Sequence, residues 1–448
     1  MNKSLDLTKG DIGSLIRKIA IPSSVGFLFN TLFNIVDTLY ASYIGSNAVS
    51  GLTLSFPLFF ILISIGSGMG TGTVALVSNL LGEKKIESAR NISKDSISLG
   101  IILSFFVTFL GIIFTSTMFK FLNTSTETTI YGIQYIHIII GGTIFFILNN
   151  SFNAILSAQG DTKSYRNFLI LGFFFNLILD PLFVLVFNMG IAGLALSTVF
   201  IQVIGSFYLF KRVIKSELFL EVKLNLKKPN FQHYLDIWKQ GFPASLNMMS
   251  MALGVFVINY FTLDVGGSPA VAGYGISMRI EQIALLPTIG LNIAILSITG
   301  QNFGAKNLDR IKKVYKLGLI YGLVIMTTAM FIIFPFSKYF LQLFTKDPKV
   351  IEYGITYLNV ETFALNSYVF LNISVAILQG LKKPNFVILI GIYRQFLLPF
   401  LLFPILIGLF KNPIYGVWVG ILIVNWSAVI ILVLYTVYIL KSYGKNTN

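Results

Sequence analysis

Twelve long apolar runs constrain this chain more than any other feature. About 20 apolar residues is the length that an α-helix needs to cross the hydrocarbon core of a bilayer. Only 11% of the residues are charged and 55% are hydrophobic, whereas about a quarter are charged in soluble domains. The sequence therefore predicts an all-α polytopic membrane protein with twelve transmembrane helices. The runs lie near residues 14–43, 51–81, 92–118, 130–156, 167–187, 191–210, 236–262, 270–300, 314–336, 353–378, 385–409 and 414–440.

Basic residues are distributed unevenly among the loops that join these runs. Most of the 33 Lys and Arg residues lie at the two ends of the chain and in one alternating set of loops. Because basic loops stay on the cytoplasmic side of a membrane, we predict that both termini are cytoplasmic. The same asymmetry accounts for the net charge of +15, so no nucleic-acid partner is predicted. The other loops contain only Lys120, Lys338, Lys346, Lys349 and Lys411.

The second half of the chain repeats the first. The segment Ala48-Val49-Ser50-Gly51 recurs as Ala270-Val271-Ala272-Gly273, and Leu81-Gly82-Glu83-Lys84 recurs at the same offset as Phe303-Gly304-Ala305-Lys306. Six spans that repeat as six keep the same orientation, so the pseudo-two-fold axis runs along the membrane normal. The predicted domains are an N-terminal six-helix lobe at 1–210 with a cation-coupling site, a basic cytoplasmic linker at 211–235 and a C-terminal six-helix lobe at 236–448.

Four polar residues of the first half are predicted to share one layer of the membrane. Asn176 and Asp180 are four residues apart, on one face of a helix. Thr198 lies as far after the next turn as Asp180 lies before it, and Asp37 lies about two helical turns from the first turn of the chain. Two acids at one depth repel unless a cation or a proton intervenes. We therefore predict a Na⁺ or H⁺ coupling site at Asp37, Asn176, Asp180 and Thr198, with hydrogen bonding between helices as the alternative.

The second half has no carboxylate at the positions that match this site. Gln395 and Pro399 align with Asn176 and Asp180 instead. Charged side chains inside a membrane usually have a function, although they can also pair with neighbouring side chains or lie at the membrane interface. We predict a role in substrate binding or gating for Glu281, Arg279, Glu361, Arg394, Met248 and Gln395, and a hinge at Pro22.

Several classes of function find no support in the sequence. There is no Cys, which excludes disulfides and thiolate catalysis, and no nucleophile and base converge, so we predict that the chain is not an enzyme. The glycines of 66–72 resemble a phosphate loop, but they lie within an apolar run and lack the Lys-Ser/Thr pair. Close helix packing at Gly68 and Gly72 is the better interpretation. An ion gradient must then supply the energy, and no cofactor or metal is predicted beyond Na⁺ or H⁺ as the coupling ion.

Five short motifs are distributed over essentially the whole chain. They are Asn34-Ile-Val-Asp37-Thr, Gly82-Glu-Lys-Lys, Asn176-Leu-Ile-Leu-Asp180-Pro, Gly190-Ile-Ala-Gly193-Leu-Ala-Leu-Ser-Thr198 and Gly300-Gln-Asn-Phe-Gly304. These motifs resemble those of the multidrug and toxic compound extrusion (MATE) family, in its DinF-like and archaeal-like branch. The most specific of them are the two that contain Asp180 and Thr198.

The resemblance implies the MATE fold and a secondary active multidrug efflux antiporter. Such a protein exports organic, often cationic, compounds in exchange for Na⁺ or H⁺ by alternating access. In this branch the cation site falls on the four N-terminal residues given above. The NorM-like branch places essential acids in helices seven, eight and ten, and the seventh helix here has none.

The expected partners are small organic substrates, a coupling cation and the lipid bilayer. The chain is expected to be a monomer with a multi-pass location in a prokaryotic plasma (inner) membrane. The alternative is a flippase for lipids or lipid-linked oligosaccharides from the same superfamily. Flippases of that kind typically have a cationic cavity, and among the Lys and Arg residues only Arg279 and Arg394 lie well away from the ends of the apolar runs.

Overall fold

The computed structural model describes residues 5–122, 125–219 and 229–445, and nearly all of these residues are helical. Part of the predicted linker, 220–228, lies outside the described residues. The helices begin and end within several residues of the predicted apolar runs. They are α1 (Ile12–Ile44), α2 (Ser46–Gly82), α3 (Ile86–Leu122), α4 (Thr126–Gly141), α5 (Thr143–Ala158), α6 (Lys163–Pro181), α7 (Gly190–Ile214), α8 (Phe231–Gly304), α9 (Leu308–Gln342), α10 (Pro348–Glu361), α11 (Leu365–Gly380), α12 (Asn385–Ile392), α13 (Leu398–Leu409) and α14 (Pro413–Lys445).

The described residues contain the twelve predicted spans. Among the described residues, nine helices are long and apolar enough to cross a membrane, and two bent pairs, α4 with α5 at 49° and α10 with α11 at 53°, add two more. The 74 residues of α8 would make a straight helix of roughly 110 Å, far longer than a bilayer core of about 30 Å. Gly267, with φ 65°, breaks α8 into two spans. Gly45, with φ 148°, makes the equivalent turn between α1 and α2.

The internal repeat is visible in matching hydrogen bonds. The hydroxyl of Ser55 on α2 donates to the carbonyl of Gly132 on α4 at 3.1 Å. In the second half, the hydroxyl of Ser277 on α8 donates to the carbonyl of Gly354 on α10 at 3.3 Å. The predicted repetition of six spans is therefore present at the level of single contacts.

Large apolar side chains cover the outer surface of several helices. Phe105, Phe106 and Phe109 on α3 are each more than half exposed. A soluble monomer rarely exposes an apolar patch that is larger than a few hundred Å². These side chains are therefore suited to contact with lipid, as the composition predicted.

The chain divides into two compact units, whose boundaries differ from the predicted ones. The first unit runs to Leu7 and then covers Val25–Ser245, and the second contains Thr8–Ser24 and Leu246–Asn448. The start of α1 thus belongs to the second unit, and the start of α8 belongs to the first. The boundaries 1–210 and 236–448 were based on the repeat and on the apolar runs, and neither shows that these helix ends are exchanged.

Glycines on α2 and α8 explain why the helix ends are exchanged. A Cβ atom on Gly68 would overlap the hydroxyl of Ser245, and one on Gly72 would overlap the backbone of the same α8 segment. In the second unit, a Cβ atom on Gly290 would overlap the hydroxyl of Ser24. The predicted packing role of Gly68 and Gly72 is confirmed. Pro22 is buried in α1 just before the change of unit at Ser24, and its role as a hinge stays a prediction.

Candidate functional site

Three helices of the first unit bring the four polar residues together. Asn176 Nδ2 on α6 donates to Asp37 Oδ1 on α1 at 2.9 Å, and Thr198 Oγ1 on α7 donates to Asp37 Oδ2 at 3.4 Å. Asn176 and Asp180 are fully buried, and Asp37 and Thr198 are 5% and 4% exposed. The structure therefore places all four residues in one buried cluster.

The chain next to Asp180 departs from a regular helix. Asp180 and Pro181 end α6 and are followed at once by a π-helical turn, Leu182–Val186. Such turns are rare and occur frequently at functional sites. Gly193 allows α7 to approach this turn, because a Cβ atom there would lie 3.0 Å from the carbonyl oxygen of Phe183. This close approach sets Thr198 beside the carboxylates.

Asp180 has no hydrogen-bond partner of its own among the described residues. Both its carboxylate oxygens are buried and unpartnered, as are Asn176 Oδ1 and Ser197 Oγ. The Asp180 carboxylate lies beside Asp37, Asn176 and Ser197. No described Lys or Arg forms an ion pair with either aspartate. Because a buried charge without a partner is costly, this arrangement favours a bound cation or proton.

Two residues of this cluster were missed in the sequence. Ser197 adjoins Thr198, and nothing in an apolar helix distinguishes its hydroxyl from one that only packs. Tyr135 on α4 is buried and lies close to both aspartates. The repeat held a signal for it, because Tyr135 aligns with Tyr357, whose hydroxyl donates to Glu281 at 2.9 Å.

The second unit contains a separate cluster of buried charges. Glu281 on α8 and Glu361 at the end of α10 are 6% and 2% exposed. The hydroxyl of Tyr368 donates to Glu361 Oε1 at 3.0 Å. The guanidinium of Arg394 lies 5.7 Å from the centre of the Tyr368 ring and donates to Asn425 Oδ1 at 3.5 Å. Both carboxylates therefore have a tyrosine hydroxyl and a nearby cation.

A small cavity adjoins the two glutamates. Its volume is about 10 Å³, and Glu281, Glu361 and Thr362 line it. Glu361 Oε2 and Thr362 Oγ1 are buried without a hydrogen-bond partner among the described residues. A cavity of this size holds about one water molecule.

The other candidates of the second half do not join this cluster. Arg279 is exposed, and it has no ion pair within the described part of the chain. Met248 is half-buried. Gln395 follows Arg394 on a second π-helical turn, Tyr393–Leu397, and its side chain fills the space that Gly254 leaves. The structure thus unites Glu281, Glu361 and Arg394 and leaves the remaining three apart.

Comparison with known families identifies the chain. The MatE family model matches residues 22–182 and 243–400. This protein belongs to the MatE family. The two matched blocks begin at Pro22 and Pro243, one in each half of the repeat, and together they cover more than half of the chain. Proteins similar to this chain are described as a MATE family transporter and a multidrug export protein, so the prediction that the chain is not an enzyme is confirmed.

Relatives and solved structures extend the family match. The chain is 26% identical to a probable multidrug resistance protein NorM of Thermotoga maritima, over 75% of this chain and 73% of the relative. It is 27% identical to a multidrug export protein MepA of Staphylococcus aureus, over 80% and 79%. A MOP superfamily transporter from Pyrococcus furiosus matches 99% of both chains at 25% identity, with a TM-score of 0.94. The predicted twelve-helix MATE fold is confirmed.

Proposed function

We propose that this MatE protein is a secondary active antiporter of a prokaryotic plasma membrane. It exports organic, often cationic, compounds in exchange for Na⁺ or H⁺ by alternating access. Two relatives that are named for multidrug resistance and export support the substrate class. The buried, unpaired carboxylate of Asp180 beside Asp37 supports the coupling. The relatives give no support to the alternative function as a flippase.

The N-terminal cluster supplies oxygen atoms of the kinds that can bind a coupling cation. Asp180 Oδ1 and Oδ2, Asn176 Oδ1 and Ser197 Oγ are all unpartnered oxygen atoms of one buried cluster. Carboxylate, amide and hydroxyl oxygens are ligands for a hard cation. A proton shared by Asp37 and Asp180 would neutralise the same charge, and the two acids would then titrate as a pair.

Binding of the coupling ion at this site can change the contacts that hold α1 against α6 and α7. The described side chains that bind the Asp37 carboxylate are Asn176 on α6 and Thr198 on α7. A proton or Na⁺ at the cluster competes with these two hydrogen bonds for the Asp37 oxygens. An ion that binds one arrangement of α1 better than another shifts the population toward it. We assign this differential binding to Asp37 and the bending of α1 to Pro22.

The cluster of buried charges in the second unit differs from the N-terminal cluster because it contains a basic side chain. Glu281 and Glu361 share the nearby guanidinium of Arg394, and each accepts a hydrogen bond from a tyrosine hydroxyl. One guanidinium can balance one of these two carboxylates, whereas no described Lys or Arg accompanies Asp37 and Asp180. We propose that this cluster acts in substrate binding or gating.

Reconstitution in liposomes tests the proposed antiport. Purified protein is incorporated into vesicles that carry a fluorescent organic cation, and Na⁺ and pH gradients are imposed separately. Transport of the dye should follow at least one gradient, should collapse when an ionophore dissipates that gradient, and should need no ATP. Transport that requires ATP and continues without any ion gradient would refute the proposal.

A further inference from the structure

A basic cavity lies in the second unit, where the start of α1 meets the start of α9. Its volume is about 510 Å³. On the α1 side the wall is formed by the segment 10–12. On the α9 side it is formed by one face of the helix, with Arg310, Lys313, Lys316, Leu317 and Ile320.

Two charged groups of this wall are already engaged by the protein. Arg310 Nη1 donates to the carbonyl of Gly10 at 3.0 Å, and its Nε donates to Asn302 Oδ1 at 3.1 Å. Asp11 Oδ2 accepts a hydrogen bond from the backbone N–H of Ser14 at 2.7 Å, in the first turn of α1. The contact of Arg310 with Gly10 joins the starts of the two helices, and the hydrogen bond from Ser14 commits the Asp11 carboxylate to its own helix.

Two lysines of the wall have no carboxylate partner among the described residues. Lys313 and Lys316 are exposed and form no ion pair with any residue that the structure describes. The neighbouring Lys312, in contrast, pairs with Asp309 at 3.6 Å. The cavity therefore presents two ammonium groups that are available to an anion.

The wall changes from basic to apolar along α9. Leu317 lies four residues after Lys313, and Ile320 lies four residues after Lys316, so each apolar side chain lies one turn further along the same face. Leu317 is half-buried and Ile320 is 42% exposed. This order is suited to a ligand with an anionic head and an apolar tail, and a free anion would use the lysines alone.

We propose that the cavity binds the headgroup of an anionic phospholipid. The phosphate lies against Lys313 and Lys316, and the acyl chains follow Leu317 and Ile320. Basic pockets between transmembrane helices on the cytoplasmic side bind anionic lipid headgroups. Because the wall includes Gly10, such a lipid fastens the start of α1 to α9. This binding goes beyond the proposed export and does not depend on it.

Native mass spectrometry of the delipidated full-length protein tests this proposal. Phosphatidylglycerol, phosphatidylethanolamine and inorganic phosphate are added in separate arms. The wild type should retain phosphatidylglycerol, and Lys313→Gln with Lys316→Gln should weaken its binding about thirtyfold, as expected for two basic residues near a membrane surface. The matched control is Lys346→Gln with Lys349→Gln, two exposed lysines beyond the other end of α9, and it should bind like the wild type.

A second variant separates loss of charge from loss of folding. Lys313→Arg with Lys316→Arg keeps both charges and should retain phosphatidylglycerol. The proposal is overturned if phosphatidylethanolamine binds as tightly as phosphatidylglycerol, or if the glutamine variant binds like the wild type. It is also overturned if inorganic phosphate at millimolar concentration displaces the lipid, because the site then recognises a free anion.

Discussion

Replacement of Asp180 with asparagine should remove most of the effect of the coupling ion on stability. The wild type buries two carboxylates, at 0% and 5% exposure, without a Lys or Arg partner among the residues that the structure describes. A ligand at one hundred times its dissociation constant stabilises the folded state by about 2.7 kcal/mol. We expect the wild type to gain about this much in saturating coupling ion and Asp180→Asn to gain almost nothing.

Without the coupling ion, Asp180→Asn should be more stable than the wild type. Leaving a buried acceptor unsatisfied costs about 1–3 kcal/mol, and more when it is charged. Asp180→Asn replaces the unpartnered carboxylate with a neutral amide of similar size. In alkaline buffer without Na⁺, the variant should therefore be more stable than the wild type by about 1–3 kcal/mol.

Thermal unfolding in detergent measures both effects. Na⁺ is varied at fixed pH, and pH is varied without Na⁺, because protons should stabilise the wild type as the pH falls. Glu281→Gln is the control, and its dependence on the coupling ion should match that of the wild type. The reasoning is refuted if the wild type responds to neither ion, or if Asp180→Asn responds as strongly as the wild type does.

Three further predictions test the ion, the packing and the orientation. If Na⁺ binds Ser197 Oγ, Ser197→Ala should raise the Na⁺ concentration for half-maximal transport about tenfold, and an unchanged value would exclude this ligand. Gly68→Leu should reduce the folded fraction in size-exclusion chromatography, because its side chain would overlap Ser245, whereas Gly141→Leu, where a Cβ atom meets nothing, should not. Asn188→Cys should react with an impermeant maleimide in intact cells and Ser88→Cys should not; the opposite pattern would reverse the predicted orientation.

Much of the fold could be predicted because membrane spans follow from apolar length alone. The break at Gly267 was predicted as the gap between two runs, and it matches the turn at Gly45 through the repeat. The exchanged ends of α1 and α8 could not be predicted in this way. They depend on which glycine packs against which residue of another helix, such as Gly68 against Ser245. A single sequence does not show which distant residues are in contact.

Those residues of the candidate site that membrane depth and helix face are enough to identify could be predicted from the sequence. Asn176 and Asp180 share a face by spacing, and a count of residues from each turn set Asp37 and Thr198 at the same depth. The π-helical turn after Asp180 and the contribution of Ser197 depend on local geometry that residue spacing does not show. The pairing of Glu281 and Glu361 with tyrosines and Arg394 also required coordinates.

Transport by charge-neutral variants tests the central claim most directly. Asp37→Asn, Asp180→Asn, Glu281→Gln and Glu361→Gln are compared in proteoliposomes at matched insertion, with a gradient that drives the wild type. Both aspartate variants should lose gradient-driven transport while they remain folded, and both glutamate variants should keep it, with at most an altered range of substrates. Coupled transport that survives in Asp180→Asn and disappears in Glu281→Gln would show that the coupling site lies in the second unit.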